Sequence, residues 1–262
     1  MDLSPIVVEP VTAHSHTVVF LHGRGDNATQ FSSSLAYSRD SSDRSLIEAF
    51  PSFRWVFPQA PLRSCAAMSG IVRQWFDVWN VKDFADREEL QVEGLREMVP
   101  LVRDILAEEA ARLGGRWDKV VLAGISMGAA TSVHTLINLD VPEEGGGRLG
   151  AFMGFSCRCP FSGRSLAGMR EVLALGDVPQ HDHVLKNTPV LLEHCVDDPL
   201  VPVANGQAMR NTLEGFGARV EWRAYPKGGH WFHDPDGMDD AVRFLKKHVV
   251  GEAVRGGAMD LS

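Results

Sequence analysis

The stretch Lys119-Val120-Val121-Leu122-Ala123-Gly124-Ile125-Ser126-Met127-Gly128-Ala129 joins a short apolar run to a helical one through a G-x-S-x-G pentapeptide. Such a pentapeptide is a weak signal by itself. Its setting makes it informative. Lys119–Ala123 is a continuous apolar run of strand length, and Ala129–Leu139 continues as a helix. A strand, a Gly-flanked serine and a helix in this order form a nucleophile elbow. The sharp turn leaves little room for side chains, so glycine flanks the serine. The turn lifts the hydroxyl above the sheet edge, at the positive end of the following helix dipole. A Gly-rich turn with a capping serine would explain the pentapeptide but not its placement.

Outward from the elbow, short apolar runs alternate with longer helical ones. His16–Leu21, Phe53–Phe57, Ala151–Phe155, Pro189–His194 and Val220–Ala224 read as strands. Glu88–Leu113 and Asp236–Val249 carry apolar residues near a 3.6 spacing and read as helices. Strands that are apolar on both faces and alternate with helices predict an α/β fold with a mostly parallel central sheet covered on both sides. Ligand sites in such sheets lie at the carboxyl ends of the strands. No internal repeat and no linker interrupts the chain. One domain over residues 1–262 is expected, its core about residues 16–250, with flexible termini.

A serine hydroxyl needs a base to take its proton and an acid to orient that base, in the chain order Ser, acid, His. His230 follows the last strand in Lys227-Gly228-Gly229-His230, where two glycines allow a sharp turn. His233 is its near rival. The acid should follow the penultimate strand, where Val196-Asp197-Asp198-Pro199 stands. The proline favours an extended Asp198, but spacing alone leaves Asp197 open. The oxyanion of an acyl-transfer intermediate would be held by the backbone N–H of Met127 and by the loop Leu21-His22-Gly23-Arg24-Gly25-Asp26.

Together these segments resemble the acyl-protein thioesterase and carboxylesterase (phospholipase/carboxylesterase) family of α/β-hydrolases, in a fungal-type branch. The matching pieces are Phe20–Asp26, Phe57-Pro58-Gln59-Ala60-Pro61, Trp75-Phe76-Asp77, Gly124–Gly128, Phe155-Ser156-Cys157, Asp198-Pro199-Leu200-Val201-Pro202 and Gly229-His230. They run in family order from about residue 17 to 247. The resemblance implies an α/β-hydrolase fold without a large cap domain. It also implies a triad of Ser126, Asp198 and His230, with Asp198 preferred over Asp197, and oxyanion donors at the N–H groups of Arg24 and Met127. Trp75 and Arg158 fall at the family's substrate entrance. Arg24 stands where the family often has Leu, Met127 where it has Gln, and Arg158 where an aromatic residue is common. An entrance lined by arginine implies short or medium acyl groups, or esters with polar or anionic parts, over palmitoyl thioesters. The alternatives are a hydrolase or lactonase of a small secondary metabolite, and a non-catalytic ligand-binding homologue.

Composition narrows the partners. The 262 residues carry 26 Lys+Arg against 34 Asp+Glu, a net charge of −8. That balance argues against nucleic acid. With 44% hydrophobic residues the chain suits a folded domain. No apolar run is long enough to span a membrane, and the start lacks signal-peptide character. A cytoplasmic location with Cys65, Cys157, Cys159 and Cys195 reduced is expected. Cys157-Arg158-Cys159, His181-Asp182-His183 and His230 with His233 are too sparse for a metal site, so neither metal nor cofactor is expected. The partners expected are a small ester or an acylated protein. Val78, Trp79, Val81 and Phe84 suit either a substrate entrance or a contact between two copies in a homodimer.

Overall fold

The computed structural model describes residues 3–251. The chain runs β1 (Ile6–Val8), β2 (His16–Leu21), α1 (Ala28–Leu35), α2 (Leu46–Ala49), β3 (Phe53–Phe57), β4 (Leu62–Ser64) and β5 (Ile71–Arg73). It continues α3 (Gln91–Arg112), β6 (Val120–Ile125), α4 (Met127–Ile137), β7 (Ala151–Phe155), α5 (Leu166–Leu173) and α6 (His183–Asn187). Last come β8 (Val190–Cys195), α7 (Val203–Gly215), β9 (Val220–Tyr225) and α8 (Asp236–Leu245). A seven-stranded sheet has the order β1-β3-β2-β6-β7-β8-β9. All its pairings are parallel except that of β1 with β3.

The strand sequences explain why both faces are covered. Successive side chains of a strand point to opposite faces. Val19 and Leu21 of β2, Val120 and Leu122 of β6 and Val190 and Leu192 of β8 join a core with residues of α3 to α7. Their neighbours Val18, Phe20, Val121, Ala123 and Leu191 join a second core with residues of α1, α2 and α8. Every one of these strand side chains is 0–1% exposed, so a polar residue on either face would be desolvated. This is the physical reason the runs are mostly apolar rather than alternating, with Thr17, Glu193 and His194 as buried polar exceptions. Among the described residues the excursions after β3 and β7 build no large cap. No helix there is long and apolar enough to cross a membrane.

The ordered structure begins earlier than residue 16. Ile6–Val8 pairs with β3 as an antiparallel edge, Val7 opposite Val56, and Leu3 is buried. The small hairpin of β4 and β5 also lies outside the expected elements. The tail expected to fray falls largely on residues 252–262, outside the described residues.

Candidate active site

Five neighbouring parallel strands each deliver one residue just beyond their carboxyl ends. Arg24 follows β2, Ser126 follows β6, Arg158 follows β7, Asp198 follows β8 and His230 follows β9. Loops at this edge are where open α/β sheets bind their ligands.

Ser126 stands between β6 and α4 with φ 56° and ψ −123°, a conformation that an L residue holds only under external constraint. Its N–H donates to the Phe155 carbonyl at 2.9 Å. Close packing supplies the rest of the constraint. A Cβ on Gly128 would stand 2.3 Å from the Leu21 carbonyl oxygen and 2.5 Å from that of His22. The start of α4 is thus pressed against the end of β2, and only glycine fits there. On the other side of this contact runs the loop His22–Asp26. His22 is buried, donates through Nδ1 to the Gly23 carbonyl at 2.7 Å and accepts the Ala60 N–H at Nε2 at 3.1 Å. Burial holds the His22 imidazole below its usual range, which suits this neutral bridging role. Among the described residues neither the Arg24 N–H nor the Met127 N–H has a protein acceptor.

Asp198 and His230 meet at 2.8 Å, Asp198 Oδ2 to His230 Nδ1. The other carboxylate oxygen accepts the N–H groups of Leu200 and Val201, each at 2.9 Å. A second histidine shares the site: His194 Nε2 lies 3.4 Å from Asp198 Oδ2 and 2.7 Å from the Val201 carbonyl. Burial alone would raise the Asp198 carboxyl. The hydrogen bonds from His194, His230, Val201 and Leu200 together outweigh it and hold the group far below the usual carboxylate range. Asp198 therefore stays ionised and can accept a hydrogen bond from His230 Nδ1. Asp197 has another task. Its carboxylate accepts the Gly229 N–H at 2.8 Å and shapes the turn that carries His230, where Gly228 and Gly229 have φ of 139° and 65°. His233 stacks on Tyr225 with ring centroids 4.5 Å apart and does not line the cleft.

Ser126 and His230 open on the same cavity of about 490 Å³. Its walls include Val78, Val81, Phe84, Met127, Leu200 and Val201 as well as Arg24 and Arg158. Trp75 requires correction: it is fully buried, its Nε1 donates to the His22 carbonyl at 2.8 Å, and it forms no part of the wall. It braces the loop His22–Asp26 from behind. Arg24 lines the cavity, and its guanidinium is tied to Gln74 Oε1 at 2.9 Å and Cys65 Sγ at 2.6 Å. Arg158 does reach the cavity, but as a buried residue rather than a rim charge. His194 is the site residue that sequence reasoning passed over; its place at the end of β8, four residues before Asp198, was the available signal. Among the described residues no group of three or more His, Cys, Asp or Glu is placed to hold a metal ion.

The sheet order, the strained serine at its edge and the Asp198–His230 pair define the α/β-hydrolase class. Within that class the sequence pattern of the phospholipase/carboxylesterase family matches residues 3–249, and the chain belongs to this family. It is similar to acyl-protein thioesterase 1 of Gibberella zeae, 26% identical over 251 residues, 94% of this chain and 96% of that one. It is also similar to carboxylesterase SOBER1 of Arabidopsis thaliana, 27% identical over 244 residues and covering 90% and 92% of the two chains. The crystal structure of Zea mays acyl-protein thioesterase 2 superposes with a TM-score of 0.70 at 26% identity, covering 94% of this chain and 98% of that one.

Proposed function

We propose that the protein is a serine hydrolase that cleaves carboxylic esters or thioesters through an acyl-enzyme. The observation that carries this reading is the 2.8 Å pairing of Asp198 with His230 at the mouth of a cavity that also exposes the strained Ser126. Ser126 Oγ attacks the substrate carbonyl while His230 Nε2 takes its proton. The carbonyl oxygen becomes an oxyanion held by the N–H groups of Arg24 and Met127. His230 returns the proton to the departing alcohol or thiol, leaving an acyl-Ser126 ester. A water molecule, deprotonated by His230, then attacks that ester and releases the acid. Asp198 keeps the imidazole oriented and stabilises its protonated form throughout.

No cofactor enters this sequence of steps. The family relationship and the apolar cavity wall support an acyl group as the cavity's occupant, carried on a small ester or on a protein. The test is turnover of p-nitrophenyl and thioester substrates by the purified protein and by Ser126→Ala. Loss on the order of 10⁴–10⁶ in kcat is expected for the variant. Wild-type rates in Ser126→Ala would overturn the assignment.

A further inference from the structure

The least explained charge in the cleft is Arg158. Its side chain is buried, 6% exposed as a residue, yet it borders two cavities at once. One is the cleft of Ser126 and His230. The other is a smaller space of about 180 Å³ lined by Lys82, Phe84, Glu88 and Asn205. The guanidinium lies over the Phe84 ring, 4.1 Å from its centroid, and 5.6 Å from that of Phe76. Its one protein hydrogen bond runs from Nη2 to Gln91 Oε1 at 2.7 Å. Gln91 is itself buried and anchored to the Phe84 carbonyl through Nε2.

A guanidinium carries five N–H donors in a plane. Here the Phe84 and Phe76 rings pack near the guanidinium and one nitrogen is tied to Gln91. Among the described residues no carboxylate stands within ion-pair distance of Arg158, and none of its nitrogens is both sealed and unpaired. The remaining donors therefore open to the cavities. Glu88 is the carboxylate that acts on Arg158 at longer range, and its Oε1 is already taken by the Phe161 N–H at 2.6 Å. Burial lowers the group only to about 10, so it remains charged at neutral pH. A buried, charged fork without a bound anion is costly, and a carboxylate matches its geometry with two parallel hydrogen bonds.

Resting on the reading of Ser126 as nucleophile, we propose that Arg158 is a specificity-determining residue that binds a carboxylate on the substrate, so that the preferred esters carry an anionic group beyond the scissile carbonyl. Lys82, which lines both cavities, adds positive potential along the same wall. Asp26 is the opposing charge on the cleft wall, and its Oδ1 is occupied by the Asn27 N–H at 2.7 Å.

The experiment compares p-nitrophenyl half-esters of adipic and pimelic acid with neutral esters in which an isopropyl group replaces the terminal carboxylate. The ratio of kcat/KM, anionic over neutral, is measured for the wild type, Arg158→Gln and Arg158→Lys. The expected result is a ratio that falls at least about tenfold in Arg158→Gln and is partly restored in Arg158→Lys. A ratio unchanged by Arg158→Gln would overturn the proposal. Binding of free adipate and pimelate to the wild type by calorimetry gives a second readout that needs neither turnover nor a folded variant. Binding is expected, and its absence would overturn the role of Arg158. Dicarboxylate binding without turnover of any ester would instead contradict Ser126 as nucleophile while upholding Arg158.

Discussion

Two histidines converge on one carboxylate, and their roles differ by which nitrogen is left open. His230 gives Nδ1 to Asp198 and lines the cleft, whereas His194 is buried and divides Nε2 between Asp198 and the Val201 carbonyl. His230→Ala should cost about as much kcat as Ser126→Ala, and the double variant little more, since in the proposed mechanism the three residues act as a unit. His233→Ala, which loses a stack on Tyr225 and a 3.9 Å contact with Asp236 away from the cleft, should keep most of its activity under the same assay. The reverse order of the two histidine variants would transfer the base to His233. Glu193 makes a separate prediction about stability. It is 3% exposed, its Oε1 has no partner, and burial together with the nearby Asp240 raises its carboxyl well above the usual range. A raised carboxyl means that the folded chain holds the proton longer than the unfolded one. The stability so gained is complete below the unfolded value near 4.5 and is lost as pH rises through the folded value. Glu193→Gln should therefore raise the melting temperature more at pH 8 than at pH 5, measured by thermal denaturation. An equal shift at both pH values would show that Glu193 is not held protonated. At this scale the sequence was legible where geometry is local, as in Ser126 between its glycines. It was not legible where direction decides. Trp75 and Arg24 carry suitable residue types near the entrance, but one is buried behind the loop and the other is turned onto Gln74 and Cys65.

The elbow works because two elements are closer than ordinary side chains permit. Gly128→Ala would force its methyl against two main-chain carbonyl oxygens that cannot move without displacing β2. Overpacking of this kind costs roughly 1–3 kcal/mol. A lower melting temperature, by roughly 2–4 °C for each kcal/mol, should accompany a marked loss of esterase activity as the Met127 N–H moves. Full activity in a folded Gly128→Ala protein would mean that the elbow tolerates a wider turn. The elements easiest to read were the inner strands. His16–Leu21, Phe53–Phe57 and Ala151–Phe155 have the expected boundaries, since burial on both faces writes a continuous apolar run. α3 begins at Gln91 rather than Glu88, because Glu88–Leu90 forms a 3₁₀ turn ahead of it. β1, β4 and β5 are three-residue strands with exposed or half-buried side chains, and such strands leave little periodic pattern. α7, with apolar Met209 and Leu213 buried among polar neighbours, was hidden for the same reason.

At the scale of the molecule, one strand order turns five scattered segments into a single cleft. The wall of that cleft is apolar at Val78, Val81, Phe84 and Leu200, but Arg158 interrupts it. Each methylene buried is worth about 0.8 kcal/mol, so kcat/KM for neutral p-nitrophenyl esters should climb with the first few carbons. It should then fall short of that rise toward sixteen carbons, since the cavity wall also carries the Arg158 charge. Arg24→Leu should leave the profile's shape alone, since the Arg24 side chain is already held on Gln74 and Cys65. A steady rise through palmitoyl would contradict this reading of the wall. The central claim, an acyl-enzyme on Ser126, is tested most directly by intact-protein mass spectrometry after treatment with a fluorophosphonate. One adduct per chain, located on Ser126 and absent in Ser126→Ala, is the result expected. Labelling of Ser126→Ala to the same extent as the wild type would contradict it.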